Sequence, residues 1–205
     1  RQMIFTFPEE KAGFRDGRNT FSLFEFKTGS TVYFDTRTPF TALYYVNGSG
    51  NENLFDVLHT QNIRKNINAG IKYQRLFSEG FYLNQRANNG NFNIHGSLRS
   101  KYDRYLLFFT ANWNDIQVQE NGGIRNDSLF ENTSISNKKT FPIRLTAAEN
   151  RYWSRAFFIK QYYHLGEKNC TDTIVNDSAF TMWSFDPRQR ISHSFFFEEK
   201  TLECS

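Results

Sequence analysis

The sequence predicts an all-β, antiparallel protein, and three observations carry that reading. Long runs alternate apolar and polar residues with period two. Aromatic residues make up 18% of the chain, with 23 Phe and 10 Tyr. Few stretches show the spacing of an amphipathic helix. Side chains alternate across a strand, so such runs mark sheets with two chemically different faces, and aromatics favour that setting.

The clearest runs lie between Asn66 and Gln117. From Asn66 to Phe77, Ile67, Ala69, Ile71 and Tyr73 alternate with Asn68, Gly70, Lys72 and Gln74. From Asn91 to Ser100, Phe92, Ile94, Gly96 and Leu98 alternate with Asn93, His95, Ser97 and Arg99. From Arg104 to Gln117, Tyr105, Leu107, Phe109, Ala111 and Trp113 share a face. Lys101-Tyr102-Asp103 has the length of a hairpin connection, which makes the last two runs antiparallel neighbours.

Upstream, Arg1 to Lys27 has little pattern, although Phe21, Leu23 and Phe26 suggest a short strand ended by Lys27-Thr28-Gly29-Ser30. Thr31 to Thr36 reads as a second strand and Phe40 to Asn47 as a third, separated by Pro39, which lacks an amide donor and suits a strand start. Gly48-Ser49-Gly50-Asn51 is a turn. Leu54 to Arg64 follows as a strand, with Phe55, Val57 and His59 on one side. Ser78-Glu79-Gly80 and Ala87-Asn88-Asn89-Gly90 act as punctuation.

Downstream, Val118 to Asn150 reads as one long connection, with a short strand or helical turn at Ile143 to Ala148. Connections above ~12–15 residues are often functional, and this one is a candidate outer loop or inward-folded plug. Tyr152 to Gly166 is a strong strand, with Phe157, Ile159, Tyr163 and Leu165 on one face. Glu167 to Asp177 reads as a loop. Phe180 to Phe185 and Ile191 to Phe197 then close the domain around an Asp186-Pro187-Arg188 turn. The expectation is roughly eight to ten strands in one domain spanning 1–205, without repeats or linkers.

The formal charge is +4 and its positive residues are scattered, which argues against nucleic acid as a partner. No run of ~18 apolar residues encodes a transmembrane helix, but a transmembrane β-strand needs only ~9–11 residues. The chain opens at Arg1 without a secretory leader, as a processed chain or a fragment would. Cys170 and Cys204 allow one disulfide and do not require it.

Nothing points to an enzyme. His59, His95, His164 and His193 lack zinc-ligand spacing, and no metal or cofactor is expected. No carboxylate pair stands out, and no GxSxG nucleophile elbow occurs. Gly122-Gly123 lacks the Lys-Ser/Thr of a phosphate loop and reads as a turn needing positive φ. Sequons such as Asn47-Gly48-Ser49 and Asn132-Thr133-Ser134 arise readily in so Asn-rich a chain.

The two-faced strands admit two architectures. In a soluble or surface-attached β-sandwich, binding a ligand such as a glycan, the apolar faces pack together. In an outer-membrane barrel the apolar face meets lipid and the polar face lines the interior. Strands of roughly 10–14 residues, aromatics near strand ends (Phe77, Phe92, Tyr105, Trp113, Tyr152, Trp153) and connections of very unequal length suit the barrel.

Short phrases between Asp35 and Gly166 carry a resemblance. Thr38-Pro39-Phe40-Thr41, His59-Thr60-Gln61-Asn62-Ile63, Ser78-Glu79-Gly80-Phe81-Tyr82-Leu83-Asn84-Gln85, Glu120-Asn121-Gly122-Gly123-Ile124 and Gln161-Tyr162-Tyr163-His164-Leu165-Gly166 recur in that order. In them the chain resembles the "Putative porin" family of Bacteroidetes outer membranes. The resemblance implies the N-terminal part of a longer, porin-like chain in the outer membrane of a Gram-negative cell. It assigns no solute and no catalytic residue. The chain ends Glu203-Cys204-Ser205 without the aromatic residue common at barrel ends, so the expectation is a transmembrane β-barrel or a segment of one. Such a segment would need the remainder of its chain or other subunits, because an open edge cannot sit in lipid.

The expected function is passive diffusion of small hydrophilic solutes. Asn68, Lys72, Gln74, Asn93, His95, Ser97 and Arg99 are the pore-lining candidates, with Lys72 and Arg99 favouring anions slightly. Ile67, Ile71, Tyr73, Leu98, Leu107 and Phe109 are the candidates for facing outer-membrane lipid.

Overall fold

In a computed structural model of the chain, which describes residues 21–126, 138–175 and 178–205, the protein is an antiparallel meander. Seven strands lie side by side in sequence order. They are β1 (Phe40–Asn47), β2 (Asn53–Arg64), β3 (Ile67–Ser78), β4 (Ala87–Arg99), β5 (Tyr105–Glu120), β6 (Ala148–Val175) and β7 (Ser178–Cys204). Every pairing joins sequence neighbours, and the sheet stays open, with β1 and β7 as its two edges. None of the described helices is long and apolar enough to cross a membrane.

The register fixes which residues share a face. On one face, His59, Ile71, Ile94, Ala111, Phe157 and Phe197 form a row across β2 to β7. The parallel row Val57, Tyr73, Phe92, Trp113 lies beside it. Rings touch along this face: Phe92 and Trp113 centroids are 5.8 Å apart, and Trp113 meets Phe157 edge-on at 5.6 Å. On the opposite face the rows read Asp56, Gln74, Asn91, Asn114, Ser154, Lys200 and Leu58, Lys72, Asn93, Asn112, Ala156, Glu198.

Burial inverts the pattern of a soluble sheet. The polar face is the covered one: Asn112 is 0% exposed, Asn91 1% and His95 2%. The apolar face lies open, with Ile71 46%, Phe109 37% and Ile191 58% exposed. Among the described residues no second sheet packs on it, so the arrangement is not a sandwich.

Several elements differ from the sequence-based expectation. There are seven strands among the described residues rather than eight to ten. Phe21 to Phe26 forms turns and Thr28–Ser30 a single 3-10 turn, while 31–36 is unpaired; this segment lies on the sheet instead of joining it. Ala87 to Gly90 belongs to β4, because their amides pair with Val118 to Asp115. Glu167 to Val175 continues β6, and β7 runs unbroken through Asp186-Pro187-Arg188. Pro187 is accommodated by a register shift opposite Leu165 and Gly166, where a bulge tolerates its missing donor. Gly166 is required there, since a Cβ would strike the Asp186 carbonyl oxygen. The connection after β5 is shorter than 118–150, because β5 reaches Glu120 and β6 starts at Ala148.

The connections have different characters at the two ends. One end carries 48–52, 79–86 and the long 121–147 connection. The other carries the tight turn at 65–66 and the Lys101–Asp103 turn. From that second end β6 and β7 continue as a two-stranded ribbon, paired from His164 and Arg190 to Val175 and Ser178. Gly122 (φ 63°) and Gly123 (φ 86°) supply the expected positive-φ turn at the first end. Arg125 N–H then donates to Pro142 O at 2.9 Å, and the bridge Ile124 to Ile143 folds the described part of that connection back on itself. Phe141 and Ile143 are buried.

Candidate functional site

The covered polar face is the part of the molecule with the most chemistry. Period-two alternation on β3, β4 and β5 puts amides, hydroxyls and one imidazole on the same side. Thr60, Asn68, Asn89, Asn91, Asn93, His95, Thr110, Asn112, Asn114 and Ser154 are all buried there. Asn93 Nδ2 donates to Thr110 Oγ1 at 2.8 Å and also to Asn112 Oδ1. His95 Nδ1 lies 2.7 Å from Asn93 Oδ1, so it carries the proton and donates. The imidazole rests over Gly70, where a Cβ would collide with Nε2. A glycine there is what lets the ring lie flat on the sheet.

What covers this face is the segment 21–36, a strap crossing the sheet diagonally from β6 towards β2. At one end Phe21 stacks on Tyr152 with centroids 5.6 Å apart. Glu25 accepts a hydrogen bond from the Tyr152 hydroxyl at 2.8 Å and lies 3.7 Å from Lys200 Nζ. Over β5, Asn114 grips the Phe26 backbone twice: its Oδ1 accepts from Phe26 N–H at 2.8 Å, and its Nδ2 donates to Phe26 O at 3.2 Å. Asn91 Nδ2 donates to Phe24 O at 2.6 Å. Thr31 Oγ1 meets Thr110 Oγ1 at 3.2 Å. Tyr33 and Phe34 pack on the His95 ring, and burial raises the pKa of the Tyr33 phenol. At the far end Asn62 Nδ2 donates to Asp35 at 2.9 Å.

Each pore-lining candidate falls on this face. Register pairs Asn68 with Ser97, Gly70 with His95, and Lys72 with Asn93, while Gln74 and Arg99 share their parity. Asn68, Asn93 and His95 are buried beneath the strap, and Arg99 is exposed. Both cations have a carboxylate neighbour, Lys72 with Asp56 at 3.5 Å and Arg99 with Asp35 at 3.3 Å, which offsets their charge. Gln74 donates to the same Asp56 at 2.9 Å. The residues expected to meet lipid (Ile67, Ile71, Tyr73, Leu98, Leu107 and Phe109) all lie on the opposite, apolar face.

Sequence reasoning missed the β5 contribution, Thr110, Asn112 and Asn114, although these alternate with the Phe109, Ala111 and Trp113 it used. It also missed the strap, which has no periodicity and is recognisable only by what it touches. Cys170 and Cys204 are exposed free thiols, and among the described residues no cluster of His, Cys, Asp or Glu could hold a metal.

The face offers hydrogen-bond donors and acceptors from amides, hydroxyls and one imidazole. No curated protein and no solved structure matches the chain. The sequence model of the family described as "Putative porin" does match, over residues 1–203, and the chain belongs to that family.

Proposed function

We propose that the chain forms wall and constriction of an outer-membrane channel for passive diffusion of small hydrophilic solutes. The observation that carries this is the inverted burial: amides and hydroxyls are covered while a continuous aromatic and aliphatic face is left open. In water that face would be costly, at roughly 25 cal/mol per Å² of exposed apolar area. In a bilayer it matches the solvent. The apolar stretch of β5 runs from Tyr105 to Trp113, within the ~9–11 residues that a tilted transmembrane strand uses.

In this reading Ile67, Ile71, Tyr73, Leu98, Leu107 and Phe109 face outer-membrane lipid. Asn68, Lys72, Gln74, Asn93, His95, Ser97 and Arg99 face the lumen. The wall needs no catalytic group: amide and hydroxyl side chains replace part of a solute's hydration shell along the path. With Lys72 and Arg99 each beside a carboxylate, charge selectivity is weak. The strap narrows the path from inside.

The two open edges require further strands, from the remainder of a longer chain or from other subunits, because unpaired amides in lipid cost several kcal/mol each. The test is a semi-native gel of detergent-extracted protein with and without boiling, followed by conductance in a planar bilayer. A mobility shift only on heating and stepwise conductance are expected. Solubility in plain buffer without a shift would overturn the reading.

A further inference from the structure

Around Phe24 and Phe26 the strap is held through its main chain, and that is the chemistry of peptide recognition. Asn114 presents its amide as a fork to one residue, accepting from the Phe26 N–H and donating to the Phe26 carbonyl. Asn91, one strand over in the same row, donates to the Phe24 carbonyl two residues earlier. The intervening Glu25 side chain, 7% exposed, enters a recess where the Tyr152 hydroxyl and Lys200 meet its carboxylate. Lys72 Nζ sits 4.9 Å from the centre of the Phe26 ring. Asn91 Oδ1, Asn112 Nδ2 and His95 Nε2 remain buried without a partner under the strap. The wall thus keeps hydrogen-bonding capacity that the strap does not use.

We propose that this wall is a binding site for short extended peptides carrying an acidic side chain, and that the strap occupies it as an internal surrogate. The Asn fork reads the N–H and C=O of one residue whatever its side chain. The Tyr152 and Lys200 recess adds the preference for a carboxylate. The inference names the solute class of the channel and rests on reading this face as the solute path.

The test uses the full chain in detergent micelles and a dye-labelled acetyl-Phe-Glu-Phe-amide, read by fluorescence anisotropy. Phe26→Pro removes the strap's N–H to Asn114. Glu25→Ala releases its side-chain anchor instead, and serves should the first variant not fold. In the freed background the peptide is expected to bind saturably and about ten-fold tighter than to the unaltered chain. Adding Asn114→Leu should weaken it about ten-fold, as should an ester oxygen in place of the final Phe N–H. A neutral disaccharide should not compete. Binding indifferent to Asn114→Leu or to the ester, competition by the disaccharide, or no saturable binding in a freed background each overturns the proposal. The bilayer measurement reports separately on the channel: conductance without peptide binding removes this inference alone, and binding without conductance removes the channel alone.

Discussion

At the scale of single residues, the two faces of the sheet make opposite demands on a substitution. A lysine placed at Ile71 or Leu107, near the middle of the apolar band, is expected to cost ~2–4 kcal/mol of barrel stability. The same lysine at Gln74 should leave stability nearly unchanged and alter conductance. Unfolding from lipid vesicles against urea measures the first, and single-channel recording the second. Equal tolerance at both kinds of position would overturn this assignment of the faces. Gly96 gives a second check, because a Cβ there would come within 2.5 Å of the Phe109 ring and 2.8 Å of the Asn68 carbonyl oxygen. Gly96→Ala should therefore destabilise by ~1–3 kcal/mol through overpacking, and Phe109→Leu in the same chain should recover part of the loss.

At the scale of elements, the strap and the strands are stabilised differently. The strands are held by long ladders between sequence neighbours, whereas the strap hangs from a few side chains of β2, β4, β5, β6 and β7. Tyr152→Phe removes the hydroxyl that holds Glu25 and keeps the ring under Phe21. A hydrogen bond to a charged group contributes ~1.5–3 kcal/mol, so the strap should become more accessible while the sheet stays intact. Limited proteolysis with an endoprotease specific for Glu checks this, with cleavage after Glu25 expected to accelerate in the variant.

The same contrast explains what the sequence made legible. The β3, β4 and β5 strands were readable because their alternation is a local signal set by the pleat. The connection at Lys101–Asp103 was readable from its length, and the observed register gathers the pore-lining candidates on the polar face and the lipid-facing candidates on the apolar one. The extension of β6 through Glu167 to Val175 was not readable, since polar residues paired only with β7 carry no face pattern. Pro187 was misread as a turn because the Gly166 opposite it, which makes the bulge possible, is distant in sequence. The strap was invisible for a related reason: its hydrogen-bond partners on the sheet lie 26 to 127 residues away.

At the scale of the whole molecule, the sheet has one covered polar face, one open apolar face and two unpaired edges. On the channel reading, Asp115 and Arg151, joined at 2.8 Å on the open face towards one end, and Trp113 and Trp153 nearby would mark where the apolar band gives way to polar head groups. At the opposite end the β6–β7 ribbon continues about 12 residue pairs past Tyr105, or some 40 Å at ~3.3 Å per residue. On the channel reading proposed above, that length would exceed the bilayer left beyond Tyr105 and put the ribbon in water. In intact cells carrying Cys204→Ser, which leaves Cys170 on the ribbon as the one cysteine of the chain, a maleimide reagent that cannot cross membranes should label it from only one side of the outer membrane. Labelling in intact cells would place the ribbon outside; labelling only after the envelope is opened would place it in the periplasm.

The all-neighbour order of the sheet also bears on how the molecule comes together. Each strand finds its partner one connection away, so the wall can grow hairpin by hairpin, with the largest loop-closure cost at the 121–147 connection before β6. The strap is on another schedule. It is made before every strand, yet its seat is not complete until Tyr152 has joined the sheet. The first described part of the chain to be synthesised is thus among the last to be fully seated, although its contacts with β2, β4 and β5 can form before β6 arrives.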